Sequence, residues 1–295
     1  MDTALAERLM TLLDRVEPWL PQAPASVDWE RDVAALWQRH ALGGHLVPVP
    51  PRDALSLADL VGVERQKEAL LANTRAFLRG LPANHVLLWG SRGSGKSSMV
   101  RALLNTLAAE GLRLIQVDRH DLVGLPVLVE QLRHEKARFV VYCDDLSFEG
   151  SDDAYKALKS VLDGTLTGPP DNVLLYATSN RRHLLPEHMS DNLDTRLTGD
   201  GEELHHGDAV EEKISLSDRF GLWLAFHPFN QQTYLATCRH WVERLGDAAD
   251  WTEQAPIAAA RFATLRGGRS GRCAWQFASD WVGTRRLAEG APPDA

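Results

Sequence analysis

The chain has 295 residues, of which 44% are hydrophobic and 24% charged, with a formal net charge of −8 at pH 7. This composition is that of an ordinary soluble protein with one sizeable core and a smaller unit beside it. The negative charge argues against a protein that binds nucleic acid with its whole surface, and no apolar run approaches the roughly 18 residues needed to cross a bilayer.

The beginning of the sequence and its cysteines bear on cellular location. Three acidic residues lie where a signal peptide would have cations and an unbroken apolar stretch, namely Asp2, Glu7 and Asp14. The cysteines, Cys143, Cys238 and Cys273, are far apart and form no C-x-x-C pair, so neither a disulfide framework nor a zinc site is expected. We therefore expect a cytoplasmic protein that does not associate with a membrane.

Residues 1–40 have the spacing of amphipathic helices. Apolar residues recur on one face of the first stretch, "PWLPQAPAS" interrupts it, and "VDWERDVAALWQRH" resumes it. The proline-rich "LVPVPPRD" (46–53) has the composition of a linker. The sequence thus predicts an N-terminal helical unit and linker over residues 1–50.

From Leu55 onward, short apolar runs alternate with helical stretches. Five runs rich in Val, Leu and Ile are bounded by turn or polar residues: "HVLLWG", "LRLIQVD", "RFVVYCDD", "NVLLYATSN" and "LWLAF" (222–226). Helical stretches lie between the first four, at 96–110, 121–136 and 152–164. Strands that are buried on both faces and alternate with helices are typical of a parallel sheet. The sequence predicts an α/β fold over residues 51–228, with a parallel five-stranded sheet flanked by helices.

After Pro228 the pattern is helical only. It predicts a small helical domain over residues 229–286, and the tail 287–295 is expected to be disordered. Between Trp251 and Arg286 there are six arginines and two acidic residues, a local charge of +4. This charge fits either a solvated helical face or a surface on which some arginines meet an anion.

The run "WGSRGSGKSSM" (89–99) includes the end of the first apolar run of the α/β domain. It contains a complete G-x-x-x-x-G-K-S pattern and one further serine: Gly90, Ser91, Arg92, Gly93, Ser94, Gly95, Lys96, Ser97 and Ser98. In this pattern glycines let backbone N–H groups point at nucleotide phosphates, the lysine adds a charge, and the serine hydroxyl binds Mg²⁺. The position between a predicted strand and a predicted helix favours a phosphate loop over a flexible turn. ATP and Mg²⁺ are therefore the expected ligands.

A second polar site follows the strand "RFVVYC". Asp144 and Asp145 stand at its carboxyl end, the edge at which parallel α/β sheets bind ligands. We expect Asp144 to hold Mg²⁺ through water or the Ser97 hydroxyl, and Asp145 to polarise the attacking water. A simple polar turn fits the same residues, but a phosphate loop about 50 residues upstream favours the metal site.

These motifs resemble those of the AAA+ ATPase superfamily, and the resemblance extends from Leu57 to Val282. The segment "LADLVGVERQKEALLANTRAFL" resembles the one that packs against adenine, which implies nucleotide contacts for Val61 and Gly62. "NVLLYATSN" resembles the sensor strand, which implies a catalytic role for Asn180.

The resemblance also singles out arginines. "ISLSDRFG" resembles the segment whose arginine reaches the γ-phosphate of a neighbouring subunit, and this makes Arg219 the candidate finger. "RSGRCAWQF" resembles the lid motif that returns an arginine to the same nucleotide, with Arg272 favoured and Arg269 second. Cations supplied from outside the phosphate loop stabilise the charge that builds up during phosphoryl transfer. A surface ion pair is the alternative for Arg219.

The wording of "LPANHVLLWGSRGSGKSSMVRALLN" and "VEEKISLSDRFGLWLAF" is most similar to a bacterial family of predicted AAA+ ATPases whose biological role is uncharacterised. The resemblance implies a P-loop NTPase fold with a helical lid and an ATPase that forms a homo-oligomer, with a hexameric ring as one arrangement. Its client is an unknown protein or nucleic acid. Alternatives are a slow ATP-dependent switch or scaffold and a DNA-associated loader.

Two departures from the superfamily pattern matter for this expectation. Asp145 stands where typical members have Glu, so its carboxylate lies one methylene further back and hydrolysis is expected to be slow or to use an extra water. The loop "DRHDLVGLP" (118–126) has no aromatic residue beside its glycine, which argues against threading of a polypeptide.

The acidic segment 187–212 contains His188, His205 and His206. No fixed spacing brings these side chains together as metal ligands, so a solvated loop is the preferred interpretation.

Overall fold

The computed structural model describes residues 11, 26–40, 43–50, 55–148, 153–164, 168, 170–181 and 216–290. The strands are β1 (Ala34–His40), β2 (Gly43–Pro48), β3 (Val86–Gly90), β4 (Leu112–Val117), β5 (Arg138–Cys143), β6 (Val173–Ser179) and β7 (Leu222–Phe226). The α-helices are α1 (Glu64–Leu78), α2 (Lys96–Leu107), α3 (Leu125–Arg133), α4 (Asp153–Asp163), α5 (Gln231–Leu245), α6 (Ala255–Leu265) and α7 (Gly271–Glu289).

A seven-stranded sheet with the order β2-β1-β4-β5-β6-β3-β7 forms the centre of the molecule. All neighbouring strands are parallel except the β1–β2 hairpin. Strands β3 to β7 are the five predicted from the sequence and are parallel as expected, but the predicted number of strands is too low, because β1 and β2 belong to the same sheet. Their near-continuous apolar sequences are explained by burial on both faces, because helices cover each side of the sheet.

The two faces of the sheet carry separate hydrophobic clusters. Helices α1 and α2 pack on one face, where Phe77 and Met99 meet Val140 of β5. Helices α3 and α4 pack on the other face, where Leu128 and Leu158 are buried. Because successive side chains of a strand point to opposite faces, each central strand contributes to both clusters.

The prediction of helix over residues 27–40 is wrong for β1, and the predicted linker at residue 46 begins inside β2. Strand β1 pairs in parallel with β4 and antiparallel with β2, so residues 34–48 extend the sheet rather than form a separate helical unit. Ala35 and Trp37 are both 2% exposed, which is the alternation of a strand. Pairing with β4 and burial of Trp37 outweigh the local helical spacing. Most of the first helical stretch lies outside the described residues.

The position of β3 creates the site. Its neighbours are β6 and β7, whereas the strands that directly follow it in the chain, β4 and β5, lie beyond β6. Connections from the carboxyl ends of neighbouring strands therefore leave in opposite directions, and a crevice opens where ligands bind in α/β sheets. The phosphate loop, Asp144 and Asn180 all follow strands that end at this edge.

Helices α5, α6 and α7, called the lid below, have a hydrophobic cluster of their own. Tyr234 and Cys238 of α5 pack there against Ala259 of α6 and Phe277 of α7. Helix α7 continues to Glu289, so residues 287–289 of the predicted disordered tail are helical, whereas 291–295 lie outside the described residues. Segment 187–212 with its histidines also lies outside them. Within the described ranges no helix is long and apolar enough to cross a membrane.

Candidate nucleotide-binding site

The phosphate loop is a strand-to-helix turn that depends on glycine. Gly90 ends β3 with a φ of 126°, and a Cβ at this position would clash with the carbonyl oxygen of Phe226 in the neighbouring strand. Gly95 has a φ of 102° and precedes Lys96, the first residue of α2. Both conformations are in the region that favours glycine. The turn therefore brings the free N–H groups of the first turn of α2 to the crevice.

The Lys96 side chain is held by acceptors from two segments. Its ammonium donates to the carbonyl oxygens of Gly90 (2.9 Å) and Ser91 (2.8 Å) and to Oδ1 of Asn180 (3.0 Å). Lys96 is only 7% exposed. Burial lowers the pKa of Lys96, and the nearby carboxylates of Asp145 and Asp144 act in the opposite direction. The result is a cation fixed between the phosphate loop and the end of β6.

One carboxylate oxygen of Asp144 accepts several hydrogen bonds. Its Oδ1 accepts from the hydroxyls of Ser97 (2.7 Å), Tyr142 (2.7 Å) and Thr178 (2.5 Å). Burial alone would raise the pKa of Asp144, but these hydrogen bonds outweigh it and lower the pKa below its ordinary value. The carboxylate is thus ionised and oriented. An ionised carboxylate beside a serine hydroxyl is a donor set that suits Mg²⁺.

Asp145 has an unusual backbone conformation. Its φ of 49° is positive, the single such value among the non-glycine residues that the structure describes. Its backbone N–H donates to Thr178 Oγ1 (2.8 Å), and its side chain accepts from the amide of Asn180. A left-handed conformation costs about 1 kcal/mol, less for Asp than for most residues. The hydrogen bonds to β6 hold this turn and direct the carboxylate to Asn180.

A cleft of about 1090 Å³ contains these groups and extends between the sheet edge and the lid. Twelve of the residues predicted to form the site line it: Val61, Arg92, Gly93, Ser94, Gly95, Lys96, Ser97, Ser98, Asp144, Asp145, Asn180 and Arg272. The lid contributes Trp241, Arg244 and Trp275, and Phe229 lies just before its first helix. A cleft of this size accommodates a nucleotide, with polar groups at one end and aromatic side chains on the lid.

Four other predicted residues do not line the cleft. Gly90 and Ser91 begin the loop, and their carbonyl oxygens accept from Lys96, while Gly62 faces Thr233 of the lid. Arg269 is exposed outside the cleft, whereas the backbone N–H of Arg272 donates to the carbonyl oxygen of Gly93 (3.2 Å). Of the two arginines predicted for the lid motif, Arg272 is therefore the one at the phosphate loop.

Arg219 also lies outside the lining of the cleft. Its guanidinium forms a two-point ion pair with Asp163 at the end of α4, with Nη2 donating to Oδ2 at 3.0 Å. This pair raises the pKa of Arg219. Within one chain, Arg219 thus forms the ion pair that was the alternative to a finger role.

Sequence reasoning missed several residues of the site. Tyr142 and Thr178 each precede a predicted site residue by two positions, so alternation along the strand places them on the same face as Asp144 and Asn180. That signal was available. Trp241 and Arg244 of α5 reach the cleft only because the lid packs over it, and no local pattern indicates this.

The fold and the phosphate loop define the class of protein. The chain is similar to a mutant RuvB from Thermotoga maritima, with a TM-score of 0.51 and 17% identity over 80% of this chain and 67% of that one. It is similar to ORC1 from Aeropyrum pernix in complex with DNA, with a TM-score of 0.54 and 18% identity, covering 77% of this chain and 61% of ORC1. The chain has the AAA+ P-loop fold, as the sequence resemblance implied.

The particular family follows from the sequence. The chain belongs to the family described as "Protein of unknown function (DUF815)", whose model matches residues 30–285. No curated protein matches the sequence at a significant level.

Proposed function

We propose that this protein binds ATP with Mg²⁺ and hydrolyses it to ADP and phosphate, as a homo-oligomeric AAA+ ATPase that remodels a client. The observation that carries the proposal is the convergence of Lys96, Ser97, Asp144 and Asn180 in one cleft. Three separate segments supply these residues, and each has the chemistry that phosphoryl transfer needs.

Binding begins at the phosphate end of the cleft. The N–H groups at the start of α2 and the ammonium of Lys96 would hold the β- and γ-phosphates. Arg92 of the loop and Arg272 of the lid line the same cleft and add positive charge from two sides. Val61 and the lid residues Trp241 and Trp275 would enclose the base, because aromatic faces stack on nucleobases.

The hydroxyl of Ser97 and the carboxylate of Asp144 would hold Mg²⁺. When bound, the ion would neutralise charge on the phosphate oxygens. Tyr142 and Thr178 keep the Asp144 carboxylate oriented through their hydrogen bonds to its Oδ1. Partners of this kind are part of a metal site, since they set the direction of the ligand.

Asp145 and Asn180 are the candidates for positioning the attacking water. The Asp145 carboxylate is short and is already engaged by the Asn180 amide. Both facts favour slow hydrolysis, and they support a second candidate function, a nucleotide-dependent switch or scaffold that turns over rarely. The two functions share one site and differ in rate.

The homo-oligomer is proposed because Arg219 does not line the cleft of its own chain. In an assembly, with a hexameric ring as one arrangement, it would leave Asp163 and act on the γ-phosphate of a neighbour. An arginine supplied in trans accelerates phosphoryl transfer by about 10³-fold or more.

The client is proposed as a protein or nucleic acid. ORC1, which shares the fold, was solved in complex with DNA, and four of the six arginines between Trp251 and Arg286 are exposed: Arg261, Arg266, Arg269 and Arg272. Although the whole chain is negatively charged, these arginines favour an anionic client. A cytoplasmic location is part of the proposal and is supported by the three cysteines, which are buried free thiols.

The test is the release of phosphate from MgATP at increasing protein concentration, with and without duplex DNA. An ATPase that assembles shows a specific activity that rises with protein concentration. Stoichiometric MgATP binding with almost no turnover at any concentration would favour the switch. Stimulation by DNA, measured against a polyanion such as heparin, would favour the loader.

A further inference from the structure

Asp59 is a buried carboxylate at the boundary between the sheet domain and the lid. It ends the short 3₁₀ helix Leu57–Asp59, lines the nucleotide cleft and is 3% exposed. A buried carboxylate is costly unless it is paired and hydrogen-bonded. The groups that compensate Asp59 therefore matter for the geometry of the cleft.

One carboxylate oxygen of Asp59 is bound by a nearby residue of the chain, and the other is bound by the lid. Oδ2 of Asp59 accepts from the backbone N–H (2.6 Å) and the hydroxyl (2.9 Å) of Ser56. Oδ1 contacts Nε2 of His240 at 3.0 Å and forms an ion pair with Arg244. His240 and Arg244 are four residues apart on α5, so they lie on the same face of that helix.

A second contact joins the lid to the sheet domain at the phosphate end of the cleft. The backbone N–H of Arg272 in α7 donates to the carbonyl oxygen of Gly93. Asp59 and Gly93 thus fasten two different lid helices to two walls of the same cleft. Any movement of α5 away from the sheet domain would remove the lid partners of Asp59, His240 and Arg244, and open the cleft.

We propose that Asp59, His240 and Arg244 form a clasp that holds the lid closed over the cleft, and that Asp59 is a positioning residue for nucleotide binding. This inference rests on the proposed function. The phosphate loop belongs to the sheet domain, whereas Trp241 and Arg272 belong to the lid, so a nucleotide that contacts both is bound best when the lid is closed. The clasp and the nucleotide then favour the same state and are coupled.

The lid contains a matched control for Asp59. Asp250 is also the last residue of a short 3₁₀ helix, Ala248–Asp250, and is 7% exposed. It accepts from the backbone N–H of Asp247 (3.0 Å) and from Nε of Arg285 (3.3 Å). All of these partners belong to the lid, and Asp250 does not line the cleft.

The experiment compares Asp59→Asn with Asp250→Asn in the full chain, using MgADP as the probe so that hydrolysis does not interfere. We expect the MgADP dissociation constant of Asp59→Asn to rise about tenfold, a typical coupling between two sites, and that of Asp250→Asn to stay within about twofold. Amide hydrogen exchange near Arg272, measured without nucleotide, should become faster in Asp59→Asn alone.

Arg244→Gln and the double variant separate positioning from direct contact. If Arg244 acts through Asp59, the double variant binds MgADP no more weakly than Asp59→Asn. Additive losses would mean that Arg244 contacts the nucleotide itself and would overturn its role in the clasp. If Asp59→Asn does not fold, faster exchange near Arg272 in Arg244→Gln supports the clasp and unchanged exchange refutes it.

Three further outcomes test the clasp and the proposed function separately. Wild-type affinity, or weaker affinity with unchanged amide exchange, in Asp59→Asn would refute the clasp while leaving the ATPase proposal intact. Absence of MgADP binding by the unmodified protein would refute the proposed function and the effect on affinity. Faster exchange in Asp59→Asn would then still support the structural clasp.

Discussion

Two regions differ in how complete they are within one chain. One is the phosphate end of the cleft, called the phosphate corner, and the other is the region around Arg219 outside the cleft, called the Arg219 corner. At the phosphate corner, Lys96 donates to Asn180 at 3.0 Å and Ser97 donates to Asp144 at 2.7 Å. At the other corner, the charge of Arg219 is balanced by Asp163, and neither residue lines the cleft. One corner is assembled by folding alone, and the other holds its cation away from the nucleotide.

This difference suggests a division of labour. Residues that bind phosphate and metal must be aligned before the ligand arrives, because prior alignment lowers the cost of binding. An arginine that stabilises only the transition state need not be in place when the nucleotide binds, because it affects turnover rather than affinity. The following substitutions test this comparison, in order of decreasing expected effect.

Lys96→Ala should abolish both ATP binding and turnover. The ammonium is the central cation of the phosphate corner, and its loss should weaken binding by about 2 kcal/mol or more. Calorimetric titration with MgATP measures this, with substitution of the exposed lysine of α4, Lys156→Ala, as the control. Unchanged affinity in a folded Lys96→Ala protein would show that the loop is not the phosphate site.

Arg219→Ala should reduce turnover by about 10³-fold and change ATP affinity little, because a finger stabilises charge in the transition state. Asp163→Asn is the matched control, since it breaks the same ion pair but keeps the guanidinium. If the pair has only a structural role, both variants should lose the same thermal stability and neither should lose turnover per folded molecule.

Mixing the first two variants tests the action in trans. Lys96→Ala and Arg219→Ala, each inactive alone, should recover part of the ATPase activity together, because a mixed assembly pairs an intact loop with an intact arginine. No recovery in proteins that co-assemble would remove the trans role and favour the switch.

Asp145→Asn should bind MgATP normally and lose about 10²-fold or more in hydrolysis, as expected when a group that activates water is removed. Asn tolerates the left-handed conformation at this position, so the fold should be kept. Asp144→Ala should instead weaken Mg²⁺-dependent binding. Single-turnover assays of both variants distinguish these effects, and normal hydrolysis by Asp145→Asn would mean that another residue orients the water.

Tyr142→Phe should raise the Mg²⁺ concentration needed for half-maximal ATP binding by about tenfold, because it removes a donor that orients Asp144. Tyr176→Phe is a close control. Tyr176 lies opposite Tyr142 in the neighbouring strand, but its hydroxyl contacts Thr74 and Asn73 instead. Equal effects of the two substitutions would show that Tyr142 acts only through packing.

Local sequence was sufficient for strands β3 to β7 and for the phosphate corner. Strands β3 to β7 have continuous apolar runs, and the turn from β3 to α2 is set by glycines and by a helix start that lie within eight residues. Asp144 was predictable because it follows a buried strand whose carboxyl end lies at the ligand-binding edge of the sheet, whereas Asn180 was implied by the resemblance to the AAA+ sensor strand. In each case the deciding interaction is backbone geometry or alternation, which short stretches of sequence encode.

Tertiary structure alone decided the rest. Residues 34–40 have helical spacing but become β1, because pairing with β4 and burial of Trp37 contribute more than local preference does. The Arg219–Asp163 pair joins residues 56 positions apart, and the Asp59–His240 contact joins residues 181 apart. Such pairs depend on distances between packed elements, and no periodicity in the sequence encodes those distances.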